Sequence, residues 1–139
     1  VKALYQFSIV SILLLGFANC HDPAKVVPIA KKGIMDLSQF PFVQEGGVSL
    51  DGEWEFYWNQ TWNDLQVDQN LGNSSRFLYQ TVPSNWKGFD WFGKPLEGFG
   101  YATYKLKIYL PQESPLLSLH NLDLSSAYRL YLNGKLIHE

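Results

Sequence analysis

The feature that most constrains the fold is a strict alternation of apolar and polar residues from position 102 to 110. Every second residue in this run is apolar: Ala102, Tyr104, Leu106, Ile108 and Leu110. Because successive side chains of a β-strand point to opposite faces, this period of two predicts a strand with one buried face. A second alternating run, 128–132, leads into Asn133-Gly134, the dipeptide typical of a two-residue hairpin turn. Since only 135–139 follow the turn, we expect a β domain that is incomplete at its C-terminal end.

The composition favours a folded domain over a disordered segment. Hydrophobic residues make up 46% of the 139 residues and aromatic residues 16%, whereas charged residues make up only 17%. Aromatic residues are enriched in β-strands and scarce in disordered chains, so we expect an aromatic-rich β domain. The formal charge of −2 and the isoelectric point near 5.9 leave no basic footprint, which argues against nucleic acid as a partner.

Further strand signals lie upstream and downstream of this run. Trp54, Phe56 and Trp58 alternate with other residues, which predicts a strand whose aromatic face points inward. The stretches 77–82 and 115–122 are predicted to be strands as well. Several short strands separated by turn residues favour an all-β sandwich or jelly roll over a helical fold.

One polar segment is predicted to be a loop. The stretch 59–75 is rich in Asn, Gln, Asp, Gly and Ser, residues that favour turns over regular structure. We expect one helical turn within it, around 62–65, where apolar residues could anchor the chain. The remainder of the segment is expected to have no regular structure.

The best candidate for a ligand site is the aromatic loop, 84–100. Its rings and polar side chains combine flat apolar faces with hydrogen-bonding groups, the combination by which proteins bind sugars. The predicted ligand-binding residues are Trp86, Asp90, Trp91, Phe92 and Glu97, with Phe89 and Lys94 beside them. The alternative is that the loop folds over the end of the sandwich and its rings cap the core, each contributing about 2–3 kcal/mol to stability. Trp86 is the ring most expected to lie in the core.

The N-terminal segment predicts export. Lys2 precedes a largely apolar run, 7–18, which matches the core of a signal peptide and is shorter than the roughly 20 residues that span a bilayer. Cys20, the single cysteine, follows this run. The stretch 15–20 resembles a bacterial lipobox, in which the cysteine becomes the lipidated first residue of the mature protein. The alternative is an ordinary signal peptide that is cut nearby, with Cys20 playing no part.

These signals divide the chain into three parts: an export segment at 1–20, a linker at 21–33, and an incomplete extracellular β domain at 34–139. We therefore expect an exported protein of the bacterial cell envelope, on the periplasmic or extracellular face of a membrane. Its attachment to the membrane would be a lipid on Cys20 or transmembrane helices that these residues do not include.

Signals for catalysis or a cofactor are weak. Glu53 and Glu55 share a face of a predicted strand, where paired carboxylates could support glycosidase-type chemistry. The favoured interpretation is that they form the solvent face of that strand. The histidines are His21, His120 and His138, which lie far apart, so we expect no metal; a calcium site of scattered loop oxygens is the alternative. The chain lacks the Gly-x-Ser-x-Gly elbow of a serine hydrolase, and we expect neither catalysis nor a cofactor.

Four blocks of the sequence resemble one protein family. They are Val48–Trp58, Thr81–Trp86, Gly98–Lys107 and Ser126–Gly134, in this order. Together they resemble the N-terminal extracellular domain of bacterial seven-transmembrane receptors with diverse intracellular signalling modules. The resemblance implies a galactose-binding-like jelly roll that senses a small molecule or carbohydrate. In the family this domain precedes seven membrane helices and a kinase, cyclase or phosphatase module. The resemblance implies no particular binding residue, since the ligands of these domains are largely undefined.

The same blocks are similar to the sugar-binding accessory domain of family 2 glycoside hydrolases. That domain shares Leu-Asp-Gly-x-Trp, Val-Pro-x-x-Trp and a Leu-Asn-Gly hairpin with this chain. Two details favour the receptor: Glu53–Trp58 is closer to its strand, and 102–105 matches its central strand where the hydrolases tend to show Trp-Tyr. The expected function is therefore a non-catalytic ligand-sensing domain. A hydrolase accessory domain and a free-standing lipoprotein are the alternatives.

Overall fold

A computed structural model of the chain describes residues 27–72, 74–120 and 126–139. The predicted export segment, 1–20, with Cys20, and the first part of the predicted linker lie outside the described residues. The described elements, in chain order, are β1 Ile34–Asp36, α1 Phe42–Glu45, β2 Gly52–Trp58, α2 Trp62–Asn70, β3 Leu78–Val82, β4 Ala102–Lys105, β5 Lys107–Tyr109, β6 Leu130–Leu132 and β7 Lys135–His138. Of the described residues, 31% lie in strands or isolated bridges and 12% in helices, so the prediction of a mainly-β fold is confirmed.

The centre of the fold is a three-stranded antiparallel sheet in the order β3-β2-β4. Phe56 in β2 lies opposite Leu78 on one side and Tyr104 on the other, and its side chain is fully buried. Trp54 and Trp58 lie on the same face because side chains two residues apart on a strand point the same way, and both are half-buried. The predicted inward aromatic face of this strand is confirmed, with Phe56 at its centre.

The alternating stretch 102–110 forms two strands where the sequence predicts one. The break falls at Leu106: β4 pairs with β2, whereas β5 pairs with β1 in parallel. The chain at Gly33 enters between β2 and β5, since its N–H donates to the carbonyl of Glu53 and its carbonyl accepts from the N–H of Lys107. One stretch of chain therefore leaves the central sheet and joins a second one, as strands do at the corners of β-sandwiches.

The predicted burial of this alternating stretch holds for only part of its length. Tyr104 and Leu106 are half-buried, but Ile108 and Leu110 are 37% and 46% exposed. The difference follows from the pairing: β4 packs beside the central strand, whereas β5 belongs to a sheet of two strands. A period of two gives the side chains of a strand their directions, but other elements must cover a face before it is buried.

Position 33, where the chain just before β1 lies between β2 and β5, favours glycine. Its φ angle is +73°, in the left-handed region that side chains other than glycine disfavour. A Cβ atom at this position would lie 2.8 Å from Cγ of Glu55, closer than van der Waals contact allows. Both the backbone conformation and the proximity of the Glu55 side chain therefore favour glycine here.

The folded part of the chain begins before residue 34, where the sequence analysis places the end of the linker. Ala30 is only 1% exposed. Its N–H donates to the carbonyl of Asp51, and its carbonyl accepts from the N–H of Glu53. Residues 30–33 are therefore part of the domain, and the prediction of a linker is wrong for them, because small residues beside a Pro-containing stretch can also form an ordered strand end.

The main hydrophobic cluster lies between β1, the segment that follows it, and β2. Met35, on β1, is fully buried, and Leu37 is 2% exposed. Half-buried apolar side chains from β2 and from the bend between β4 and β5 pack against this cluster, among them Trp54 and Leu106. The cluster therefore connects the second sheet to the inward face of the central one.

α2 is longer than the single helical turn that the sequence predicts. It has nine residues and begins with a capping box, in which the N–H of Asp64 donates to Oγ1 of Thr61 and the N–H of Thr61 donates to Oδ2 of Asp64. Leu65 is its single buried residue. Because the helix buries so little, the sequence carries no apolar periodicity that would indicate its length.

The predicted strand at 115–122 is wrong over the residues that the structure describes. Residues 115–120 form no strand and are all exposed, with Leu116 fully so. The positions 121 and 122 lie outside the described residues. Leu117 and Leu119 would fall on one face of a strand but Leu116 and Leu122 on the other, so no single buried face is specified. Pro115 also cannot donate a ladder hydrogen bond.

The predicted hairpin at the C-terminal end is confirmed. β6 and β7 are antiparallel and are joined by Asn133 and Gly134, whose φ angles are +49° and +81°. Positive φ at both central residues defines the type I′ turn that Asn-Gly favours. The hairpin contacts the body of the domain through Tyr131, whose ring lies 5.6 Å from that of Trp62 at the start of α2.

Candidate functional site

The aromatic loop, 84–100, connects β3 to β4 and lies over the inward face of the central sheet. The rings of Phe89 and Trp91 meet the buried ring of Phe56 edge-on, at centroid distances of 5.4 and 5.7 Å. Trp86 packs against Trp58 at 5.6 Å. Such pairs each contribute about 0.5–1.5 kcal/mol beyond the area they bury, so these contacts fix the loop on the sheet.

Tyr104 closes the same cluster from β4. Its ring lies 5.0 Å from that of Phe56, and burial raises the pKa of its hydroxyl to about 12. The group therefore stays neutral at physiological pH. The base of the loop is an apolar, uncharged support.

The outer end of the loop is a short hairpin, residues 90–95, which we call the tip. The N–H of Trp91 donates to the carbonyl of Lys94 at 2.8 Å, and the N–H of Lys94 donates to the carbonyl of Trp91 at 3.3 Å. Between them, Phe92 and Gly93 have φ angles of +51° and +85°, the signs of a type I′ turn. Asp90 reinforces the turn, since its Oδ1 accepts from the N–H of Gly93 at 2.6 Å. The tip is therefore held in one conformation by its own hydrogen bonds.

Phe92 occupies a backbone position that disfavours it. A bulky residue at positive φ is uncommon, and Asn, Asp or Gly usually takes the first central position of a type I′ turn. Phe92 remains 47% exposed there, and its ring meets the edge of Trp91 at a centroid distance of 4.9 Å. Strained residues of this kind cluster at functional sites, which makes Phe92 a candidate for ligand contact.

Arg76 is the residue that the sequence analysis missed. It lies just before β3 and is exposed, and its guanidinium carbon stands 3.9 Å above the centroid of the Phe92 ring. The contact is a cation–π interaction, by which the ring holds the guanidinium group in place. No local sequence signal indicates it, because 15 residues separate the two side chains and the fold alone brings them together.

The five predicted ligand-binding residues take different roles in the structure. Trp86 and Trp91 pack against β2, as the core-capping alternative describes. Asp90 holds the turn of the tip. Phe92 is presented at the surface beside Arg76, and Glu97 is exposed further along the loop.

The opposite face of β2 carries the paired carboxylates. Oε2 of Glu55 accepts hydrogen bonds from the hydroxyl of Tyr57 at 2.6 Å and from Nζ of Lys105 at 2.9 Å. Oε2 of Glu53 accepts from the N–H of Lys32 at 3.0 Å. Burial, followed by the hydrogen bond to Glu55, raises the pKa of Tyr57. Each carboxylate thus has a hydrogen-bond partner within the fold. The expected solvent face holds for Glu53, which is exposed, but not for Glu55, which is half-buried, or for Tyr57, which is 6% exposed.

Within 27–72, 74–120 and 126–139, no three His, Cys, Asp or Glu side chains lie close enough together to hold a metal ion. None of the helices in that part of the chain has the length and apolar character needed to cross a membrane. Neither the metal alternative nor the export prediction draws support from these two observations.

Comparison of the chain with protein-family profiles, with curated proteins and with solved structures finds no match. The tip, with the Arg76 side chain above Phe92, is a part of the described surface that combines an exposed ring with a positioned cation.

Proposed function

We propose that this chain is a non-catalytic ligand-sensing domain, exported to the bacterial cell envelope, that binds carbohydrate through the tip of its aromatic loop. The observation that carries the proposal is the presentation of Phe92. Its ring is half exposed on a hairpin whose neighbouring ring, Trp91, is anchored on the buried Phe56. Sugars bind to proteins by stacking their C–H faces on such fixed rings while their hydroxyls pair with polar groups nearby.

The resemblance to the extracellular domain of bacterial seven-transmembrane signalling receptors supports a sensing role. Three of its four blocks are neighbours in space: Val48–Trp58 contains β2, Thr81–Trp86 contains the end of β3, and Gly98–Lys107 contains β4. β2 pairs with both of the other strands. Trp58 and Trp86, from two different blocks, are also in contact. If the blocks belong to one structural unit, their residues are expected to lie together, as these three blocks do in the central sheet.

The proposed fold is a galactose-binding-like jelly roll. Its support is the stretch 102–109, which pairs first with the central sheet and then with β1 in a second sheet. Strands that pass between two sheets build the corners of sandwiches. The proposed export rests on the signal-peptide pattern of 1–20, with attachment to the membrane through a lipid on Cys20 or through helices of the larger receptor.

A glycan array tests the binding proposal. The chain, without its export segment, is applied to immobilised carbohydrates beside the Phe92→Ala variant. We expect at least one glycan to retain the unaltered chain and to lose the variant. Absence of binding to every glycan, or equal binding by the variant, contradicts the proposal.

The receptor part of the proposal has its own test. In the gene that encodes this chain, the reading frame after Glu139 is expected to encode segments of about 20 apolar residues, the length that spans a bilayer. A β/α barrel in that frame would instead support the accessory domain of a glycoside hydrolase. An immediate stop codon would support the free-standing lipoprotein.

A further inference from the structure

Building on the proposed carbohydrate binding at the tip, we propose that Arg76 makes the site selective for acidic sugars. The guanidinium of Arg76 would receive the carboxylate of a uronic-acid residue, while the sugar ring lies against the exposed part of Phe92. The chemical class of the ligand is therefore a carboxylate-bearing glycan.

The Arg76 guanidinium is positioned but not neutralised. Its carbon stands 3.9 Å from the centroid of the Phe92 ring, which fixes one face of the planar group. Among the described residues, the guanidinium forms no hydrogen bond and no ion pair. A guanidinium carries five N–H donors at its edge, in a fork that matches both oxygens of a carboxylate. Stacking on a ring leaves that edge open, so these donors remain available to a ligand.

The second arginine of the chain provides a contrast. Nε of Arg129 donates to Oε2 of Glu139 at 2.9 Å, so the positive charge of this side chain already has a partner. Arg76 has an aromatic partner in place of an acidic one. Among the described residues no acidic group pairs with Arg76, so a positive charge stands beside an exposed ring in a chain whose formal charge is −2.

The acidic groups near the tip are not placed to neutralise Arg76. Asp90 directs its Oδ1 to the N–H of Gly93 within the turn. Glu97 lies further along the loop, where it is exposed and has no ion pair with a described residue. The tip and Arg76 therefore combine three features in one place: a fixed ring, a cation that stacks on it, and hydrogen-bond donors that have no acceptor among the described residues.

Isothermal titration calorimetry with two matched probes tests the inference by measuring the affinity of the chain for each. One probe is an oligogalacturonate, and the other is its methyl ester, which keeps the sugar rings and removes the negative charge. We expect Arg76→Gln to weaken the binding of the oligogalacturonate roughly tenfold or more, since hydrogen bonds to charged groups are worth about 1.5–3 kcal/mol. Binding of the ester is expected to change less than about twofold.

Two further variants separate the role of the guanidinium from charge alone. Arg76→Lys keeps the charge but loses the planar fork, and we expect it to recover only part of the lost affinity. Arg129→Gln removes the same charge just before β6, where the side chain pairs with Glu139 and not with the tip, and is expected to leave both affinities unchanged. Because Arg76 is exposed, both Arg76 variants should keep the thermal transition of the unaltered chain, and this is measured alongside.

The outcomes distinguish this inference from the proposed function. Equal affinity for the two probes, or an oligogalacturonate affinity that does not respond to Arg76→Gln, overturns the acidic-sugar inference. If neutral glycans still bind through Phe92 in that case, the proposed function stands. If no glycan of either kind binds, the proposed function and the inference are both wrong.

Discussion

The indole of Trp91 stands edge-on against the buried ring of Phe56, with centroids 5.7 Å apart and an angle of 82° between the rings. A residue that the sequence predicts as a ligand contact is thus a support for the surface beside it. The neighbouring Phe92, one position further along the same turn, is the more exposed ring, at 47%, whereas Trp91 is half-buried. Trp91 therefore supports the loop, while the adjacent Phe92 is the proposed ligand contact. The first two predictions concern these two roles.

Replacement of Trp91 by Ala is expected to destabilise the fold. The substitution removes the edge contacts with Phe56 and Phe92 and leaves a void over the central sheet. For a half-buried Trp we expect the free energy of unfolding to fall by about 2–3 kcal/mol, measured by urea denaturation. Phe99→Ala is the matched control, because Phe99 lies on the same loop and is 94% exposed; it should change stability by less than about 0.5 kcal/mol. Equal effects of the two variants would show that the ring cluster does not hold the loop.

Replacement of Phe92 by Asn should separate stability from binding. Asn tolerates the positive φ of this position, so the substitution relieves backbone strain while it removes the contacts of the ring with Trp91 and Arg76. These effects oppose each other, and we expect the free energy of unfolding to change by no more than about 1 kcal/mol. Glycan binding should nevertheless be lost. A larger decrease in the free energy of unfolding would show that the Phe92 ring is part of the core.

The capping box of α2 gives a prediction on local stability. Thr61→Ala removes the hydroxyl that accepts from the N–H of Asp64, and loss of such a cap costs about 1 kcal/mol. Amide hydrogen exchange in 62–70 should become faster in the variant, while exchange in β2 should change only as much as global stability does. Thr61→Ser, which keeps the hydroxyl, is the control. Unchanged exchange across 62–70 in Thr61→Ala would contradict the capping role.

Alkaline pH is expected to weaken the fold through its buried tyrosines. Burial raises the pKa of Tyr104 from an ordinary value of 10.0 to about 12, and burial also raises that of Tyr57. A folded-state pKa above the unfolded value means that the stability contribution is complete below pH 10. It is then lost as the pH rises through the folded-state value. Urea denaturation between pH 9 and about 12 should show this decline, and Tyr104→Phe should reduce it. A decline that is the same in Tyr104→Phe would exclude a contribution from Tyr104.

Local signals in the sequence were correct for the central aromatic strand and the C-terminal hairpin, but not for the strand expected at 115–122. Asn133-Gly134 specifies its turn through two positive φ angles, which depend on these two residues alone. The aromatic alternation around Phe56 specifies one buried face in the same local way. The alternation at 102–110 indicated strand correctly but not the break at Leu106. That break depends on β1, which lies about 70 residues earlier in the chain, through the pairing of Met35 with Ile108.

The candidate site was harder to predict because its parts are distant in sequence. The rings of the aromatic loop could equally contact a ligand or the core, and the choice between Trp91 and Phe92 is made by Phe56 in another strand. Arg76 gives no sequence signal, since its partner Phe92 lies in a different segment. α2 was underestimated for another reason: it buries one residue, so its length has no apolar pattern.

The most direct test of carbohydrate sensing by the tip is a calorimetric titration of the glycan that binds best on the array. The unaltered chain is compared with Phe92→Ala and with Phe99→Ala, two exposed rings of the same loop. We predict that Phe92→Ala weakens the affinity roughly tenfold or more, as truncation of an aromatic anchor does, and that Phe99→Ala leaves it unchanged. An affinity that survives Phe92→Ala, or that Phe99→Ala reduces equally, would contradict binding at the tip.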